Sequence, residues 1–152
     1  MVILKPEYMS YVRNWIHIVW GTKNRMPFLK EELLNKVTDH IRANAREKNI
    51  FIDSINGHLE HIHCLISLNP DISLSMAVQL LKGESSHWIN KNKLTRLRFG
   101  WAVDYYGGSV CHSHLDSVRN YIRNQQEHHK IQTWVEENES LVNEMGLMKI
   151  EG

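Results

Sequence analysis

Between residues 15 and 22 the chain reads WIHIVWGT, a run of β-branched and aromatic residues closed by Gly21 and the polar TKNR. Residues of this kind suit a pleated, half-buried surface, so the pattern predicts a first strand. The period then changes. Over 29–48, Leu33, Leu34, Val37, Ile41 and Ala45 recur at three- and four-residue steps, which predicts an amphipathic helix. IFIDSI predicts a second strand over about 50–55, and Asn56-Gly57 signals a turn behind it. LEHIHCLISL, 59–68, predicts a third strand ending at Asn69-Pro70. Asp71 or Ser73 can cap a helix that carries Met76, Leu80 and Leu81 and runs to about Ile89. RFGWAVDYY, 98–106, predicts a fourth short strand, with Gly107-Gly108 as a loop. Ser113, followed three residues later by Asp116, resembles the start of a helix through His129, and a last helix spans roughly Thr133 to Met145.

The order strand, helix, strand, strand, helix, strand matches an α+β ferredoxin-like sandwich with a central antiparallel sheet, to which a C-terminal tyrosine-bearing helix and one further helix are appended. In that topology the first and third strands are the adjacent central pair. His17 is thereby expected near His61 and His63. With no internal repeat, low-complexity tract or linker, residues 1–152 are expected to form a single domain.

Composition narrows the function classes. The chain is 42% hydrophobic and 23% charged, close to the soluble average, which argues against wholesale disorder. The apolar runs fall far short of the roughly twenty residues that span a bilayer, and no signal peptide opens the chain, so a cytoplasmic location is expected. Cys64 and Cys111 lack metal-site spacing and fit reduced thiols. A net charge of +1 means that any nucleic-acid role must rest on local patches.

Chemistry enters with the histidines. His61 and His63 lie two apart on a strand, so both imidazoles project from one face, about 7 Å apart at their bases, and can converge on one divalent ion if a third ligand joins them. In SVRNYIRNQQEHHK, 117–130, Tyr121 and Gln125 are four apart and share a helix face, with His128 and His129 beyond them. Tyrosine is a poor nucleophile at its usual pKa of about 10, but a divalent ion on a phosphate oxygen would make the phosphorus more electrophilic. A glutamine carbonyl beside two imidazoles suits Mg2+ or Mn2+. The plain alternatives are exposed histidines on an open sheet, and Tyr121 packed with Val118 and Ile122 while Gln125 is solvated.

His61-Ile62-His63 together with YIRNQQEHH resembles the single-tyrosine HUH transposases of small insertion sequences and their repeat-associated relatives. IHIVWGTKNRMPFL, LLKGESSHWIN and WAVDYYGGSVCHS extend the likeness over about residues 15 to 130. The resemblance implies a ferredoxin-like fold and single-stranded DNA substrates folded into hairpins. It implies strand cleavage and transfer through a tyrosine-bound 5′ phosphate, dependent on a divalent metal, and a homodimer in which the tyrosine helix can serve the partner's active site. Carried over by position, His61 and His63 match the metal ligands, Tyr121 the nucleophile and Gln125 a residue that joins the metal shell. The chain departs from the family pattern at Glu60, where aspartate is usual, and at Ala102, Asp104 and Tyr106 to Gly108.

DNA contacts would come from local charge. Lys91, Lys93, Arg96 and Arg98 form a stretch without an acid; Lys23, Arg25, Lys30 and Lys82, and Arg119 and Arg123 beside the tyrosine, are further candidates. Tyr105 and Tyr106 are candidates for stacking on unpaired bases, whereas Trp88 and Trp101 are expected in the core. Ser85 and Ser86 can donate to phosphate, or sit on a polar helix face. Two other functions compete: a protein that binds DNA or RNA hairpins without cutting them, and a two-histidine phosphoesterase. The latter would need a second His-x-Thr/Ser motif, for which HSH at 112–114 is a weak match. The acidic last helix, with Glu136, Glu137, Glu139 and Glu144, is expected to serve packing and solubility.

Overall fold

A computed structural model of the chain describes residues 11–128 and 133–144. Four strands, β1 (Trp15–Gly21), β2 (Phe51–His58), β3 (His61–Ser67) and β4 (Tyr106–Ser109), form one antiparallel sheet in the order β2-β3-β1-β4. Helices α1 (Glu31–Glu47) and α2 (Leu74–Lys91) follow β1 and β3, and α3 (Leu115–Arg123), α4 (Gln125–His128) and α5 (Trp134–Glu144) follow β4. This is the expected ferredoxin-like α+β architecture, with β1 and β3 as its central pair.

Strand alternation divides the sheet into two unlike faces. Ile16, Ile18 and Trp20 of β1 and Ile62, Cys64 and Ile66 of β3 are buried with Leu34, Val37, Ile41 and Ala45 of α1 and Ala77, Val78, Leu81 and Ile89 of α2. Each fully buried isoleucine contributes about 1.5–3 kcal/mol, so this apolar layer is the main store of stability. The opposite face carries His17, His61, His63 and Leu65. Leu65 packs there with Leu115 and Ile122, against which Val118 and Tyr121 of α3 also lie. Ser73 caps α2, accepting from the Met76 amide at 3.1 Å. Among the described residues no helix is long and apolar enough to cross a membrane.

Several local expectations are corrected. The fourth strand is not 98–106. Phe99 and Trp101 are drawn into the core, where Trp101 stands edge-on to Trp20 and Phe99 and donates through Nε1 to Ser85 Oγ at 2.9 Å. Before Tyr106 the run makes one isolated bridge, Trp101 to Thr22, beside which the Ala102 amide donates to the Gly21 carbonyl at 2.9 Å. Pairing with β1 begins at Tyr106 and includes both glycines expected in a loop. Asn56-Gly57 is not the turn either: both belong to β2, and residues 59 and 60 make the hairpin connection. Gly57 is required for close approach, because a Cβ there would lie 2.2 Å from the His61 carbonyl oxygen. The tyrosine helix is interrupted at Asn124, and Ser113 lies in a 3-10 turn over His112–His114 rather than capping it. His129 and Met145, the expected last residues of the two C-terminal helices, lie outside the described residues.

Gly57→Ala should therefore push β2 away from β3 at the point where His61 is presented. Urea unfolding is expected to show a loss of about 1–3 kcal/mol, as for other overpacked interiors.

Candidate active site

Pairing of β1 with β3 sets His17 opposite Leu65 and Val19 opposite His63, which puts all three histidines on one face of the sheet. His17, His61 and His63 are all buried. A buried imidazole needs partners for its ring nitrogens, and polar atoms lie close to both nitrogens of His61 and of His63, although His63 Nε2 makes no hydrogen bond of good geometry. His61 Nδ1 lies 3.1 Å from Glu60 Oε1 and its Nε2 lies 3.1 Å from Gln125 Oε1. His63 Nδ1 lies 2.9 Å from His17 Nε2, and its Nε2 lies 2.9 Å from Glu137 Oε1. The rings of His61 and His63 are 5.1 Å apart.

These surroundings separate the protonation states. Burial holds His63 down to about 3, against the pull of Glu137, with the charges of His61 and His17 adding to the depression. His17 is likewise lowered by burial to about 4, Glu137 opposing. Burial also pulls His61 down, but hydrogen bonds to Glu137, Glu60 and Gln125 outweigh it and raise its pKa above the ordinary value. Oxygen acceptors beside both ring nitrogens are the cause of that rise. Gln125 Oε1 and Glu137 Oε2 thus place two oxygen atoms beside His61 Nε2.

Helix α3 delivers the tyrosine. Arg119 makes a two-pronged contact with Asp53, Nε to Oδ1 and a terminal nitrogen to Oδ2, both at 2.9 Å, and also pairs with Asp116. Asp53 sits at the register shift in β2, and its carboxyl is held below the usual range chiefly by the hydrogen bonds from Arg119. One turn later, Asn56 of β2 donates to the carbonyls of Ile122 and Arg123 at 3.0 and 3.1 Å, satisfying groups exposed where α3 ends. Gln126 donates back to Asn56 Oδ1 at 3.0 Å. The chain stays close enough to helical across the break that Gln125 Nε2 still donates to the Tyr121 carbonyl, 3.2 Å away. That bond turns the amide oxygen of Gln125 toward His61. The Tyr121 ring is 5.4 Å from that of His63 and 6.1 Å from that of His17.

The structure therefore brings His61, His63, Gln125 and Tyr121 into one cluster. It also adds a residue that the sequence pattern left to packing and solubility. Glu137 of α5 is buried; its Oε1 accepts from the Tyr121 hydroxyl, and its Oε2 lies 3.4 Å from His61 Nε2. No sequence signal separated it from the neighbouring glutamates, because only docking of α5 decides which carboxylate faces inward. Ligand atoms of His61, His63 and Glu137 all lie within 4.8 Å of one another. Two imidazole nitrogens, a carboxylate and an amide oxygen are a donor set suited to a hard or borderline divalent cation. His112 and His114, the weak second motif, are exposed in their 3-10 turn. Both cysteines are free thiols, Cys64 buried and Cys111 exposed.

The basic candidates are distributed differently. Lys23, Arg98 and Lys82 border a cleft of about 630 Å3 floored by Phe99 to Val103, and Arg98 and Lys91 border its neighbour. Arg96 and Lys30 line a third, of about 770 Å3. Lys23, Arg25, Lys91, Lys93, Arg96, Arg98 and Arg123 are exposed. Lys82 is tied up internally, its Nζ donating to the carbonyls of Ala102, Val103 and Asp104, and Arg119 is held by Asp53 and Asp116. Tyr106 pairs with Val19 and so lies on the histidine face, whereas Tyr105 packs against the apolar layer. Trp88 stacks on His40 with ring centres 3.9 Å apart.

Comparison with known proteins bears on the family and the fold. The ISDra2 transposase TnpA of Deinococcus radiodurans is 23% identical over 133 residues, 81% of this chain and 95% of that protein. The transposase for insertion sequence element IS200 of Salmonella typhimurium is 29% identical over 121 residues, 76% of this chain and 78% of that protein. A crystal structure from Deinococcus radiodurans R1 shares the fold with a TM-score of 0.62 at 21% identity, over 80% of this chain and 98% of the other. A REP-associated tyrosine transposase bound to a REP hairpin shares it at 0.54 and 16% identity, over 86% and 76%. Residues 10–125 match the model of the family described as "Transposase IS200 like", and the chain belongs to that family of transposases.

Proposed function

We propose that this transposase cleaves and rejoins hairpin-forming single-stranded DNA ends, with Tyr121 as nucleophile and His61, His63 and Gln125 holding Mg2+ or Mn2+. The observation that carries the reading is the shared location of a tyrosine hydroxyl and two buried imidazoles on one sheet face, the Tyr121 and His63 rings 5.4 Å apart. A bound divalent ion would supply Lewis acidity at a phosphate oxygen. Tyr121 gives up its phenolic proton and its oxygen bonds to phosphorus as the bond from phosphorus to the 3′ oxygen breaks. The products are a 5′-phosphotyrosine and a 3′ hydroxyl that has taken up a proton. The covalent link retains the phosphoester, so rejoining needs no nucleotide cofactor.

The other residues have supporting parts. Glu60 and His17 hold the Nδ1 edges of His61 and His63, fixing ring orientation so that His61 Nε2 faces Gln125 and Glu137 and His63 Nε2 faces Glu137. Asn56 and the Arg119–Asp53 pair fix the height of Tyr121 above the sheet. Phosphates lie along the clefts bordered by Lys23, Arg98 and Lys91, with Arg25, Lys93, Arg96 and Arg123 as outer contacts. Tyr106, on the histidine face, is placed to stack on an unpaired base. Tyr121 serves the histidines of its own chain, whether one copy or a homodimer engages the DNA.

Incubating the protein with labelled hairpin DNA and Mn2+ should give a covalent adduct on a denaturing gel. Tyr121→Phe is expected to abolish it while hairpin binding changes less than about threefold, on the order of 0.7 kcal/mol. An active Tyr121→Phe protein would refute the assignment, and DNA binding without any adduct in the wild type would favour the non-cutting binder.

Mixing Tyr121→Phe with His63→Ala protein tests which chain supplies the nucleophile. No adduct is expected from the mixture; restored adduct would place the tyrosine in the partner's site.

Replacing Lys23 and Arg98 together by Ala should weaken hairpin binding and lower the salt slope of log K by about one for each phosphate that is no longer neutralised. Fluorescence anisotropy at several salt concentrations reads both effects.

A further inference from the structure

We infer that Glu137, carried by α5, is a fourth protein ligand to the divalent ion, so that metal binding and docking of α5 onto the sheet are one linked event. This rests on the proposed reading that His61, His63 and Gln125 hold such an ion.

Spacing is the first support. Donors about 2.1 Å from an octahedral cation stand about 3.0 Å apart when adjacent. Here His63 Nε2 to Glu137 Oε1 is 2.9 Å, His61 Nε2 to Gln125 Oε1 is 3.1 Å and His61 Nε2 to Glu137 Oε2 is 3.4 Å. These three donor pairs are therefore spaced as neighbours around one ion would be, and ligand atoms of His61, His63 and Glu137 all lie within 4.8 Å of one another.

Charge is the second. Two neutral imidazoles and an amide offer no negative charge to a dication in a dry pocket, and burying charge without a counter-charge is costly. Glu137 is the buried carboxylate at this point, its side chain 1% exposed. Glu60, the other carboxylate nearby, lies behind His61 on its Nδ1 side and serves to orient the ring. The arrangement of the Nδ1 edges is the third support. With Glu60 on one ring and His17 on the other, both rings turn their Nε2 atoms toward Glu137.

His61, His63, Gln125 and Glu137 would hold the ion, which would supply Lewis acidity to a phosphate oxygen. The Tyr121 hydroxyl, hydrogen-bonded to Oε1 of the same carboxylate, is held beside them. A ligand that binds only the folded, docked state also stabilises it by mass action. Mn2+ should thus fasten α5 in place.

The test is calorimetric titration of the metal-free full chain with Mn2+, paired with thermal unfolding in Mn2+ and in chelator. Glu137→Gln, which keeps shape, and Glu137→Ala are both expected to weaken Mn2+ binding at least tenfold and to lose most of the Mn2+-induced rise in Tm. Glu139→Gln, exposed on the same helix, should behave as wild type. If both Glu137 variants bind Mn2+ as the wild type does while His63→Ala does not, the carboxylate is no ligand and this inference falls alone. If His63→Ala also binds normally, the metal-site reading beneath it fails.

Discussion

Three imidazoles buried side by side on a β-sheet constrain nearly everything around them. An apolar neighbour would leave ring nitrogens without partners, at a penalty of about 1–3 kcal/mol each, so the polar groups that answer them are structural requirements before they are chemical ones. The residues that answer come from far apart in the chain. Glu60 stands in the hairpin turn, His17 on the neighbouring strand, Gln125 beyond the break in the tyrosine helix and Glu137 on the last described helix. Each contact also selects a ring orientation. The set therefore leaves Nε2 of both His61 and His63 facing one point.

The sheet makes this possible by keeping its two faces unlike. Ile16, Ile18, Trp20, Ile62, Cys64 and Ile66 seal one side against α1 and α2 with ordinary apolar packing. That layer supplies enough stability for the other side to carry buried polar groups. The smaller cluster of Leu65, Leu115 and Ile122 then anchors α3 beside the histidines without enclosing Tyr121 completely. Arg119 and Asp53 add a directional contact at the register shift of β2, which resists rotation of the helix in a way that nonpolar contact does not.

Helix interruption at Asn124 has a comparable logic. A continuous helix would bury its carbonyls in its own ladder; ending α3 leaves them available to Asn56, which ties the helix end to the strand beside His63. The position of Gln125 is thereby set by the sheet as well as by its own helix. Charge at the opposite end is arranged more loosely. Thr22, next to the cleft bordered by Lys23, donates from its amide to the Glu60 carbonyl, so the basic surface begins beside the hairpin that presents His61. A chain with a net charge of only +1 thus borders one cleft with Lys23, Lys82 and Arg98.

Periodicity in the chain already determined the element order, the two helices over the apolar face and the shared face of His61 and His63, because burial of one side imposes a period of two or of 3.6 on any sequence that folds this way. The spacing of Tyr121 and Gln125 was equally legible, and it survives the helix break. What local pattern did not contain was competition between sites. Phe99 and Trp101 look like strand residues but pack deeper as core than they would pair as sheet, and Gly57 looks like a turn residue but answers a close approach to the His61 carbonyl. Glu137 is the sharpest case. Its neighbours in sequence have the same chemistry, and only the docking of α5 places this one carboxylate against Tyr121 and His63 while Glu136 and Glu139 stay exposed, since burial is a property of three-dimensional neighbours rather than of the residue itself.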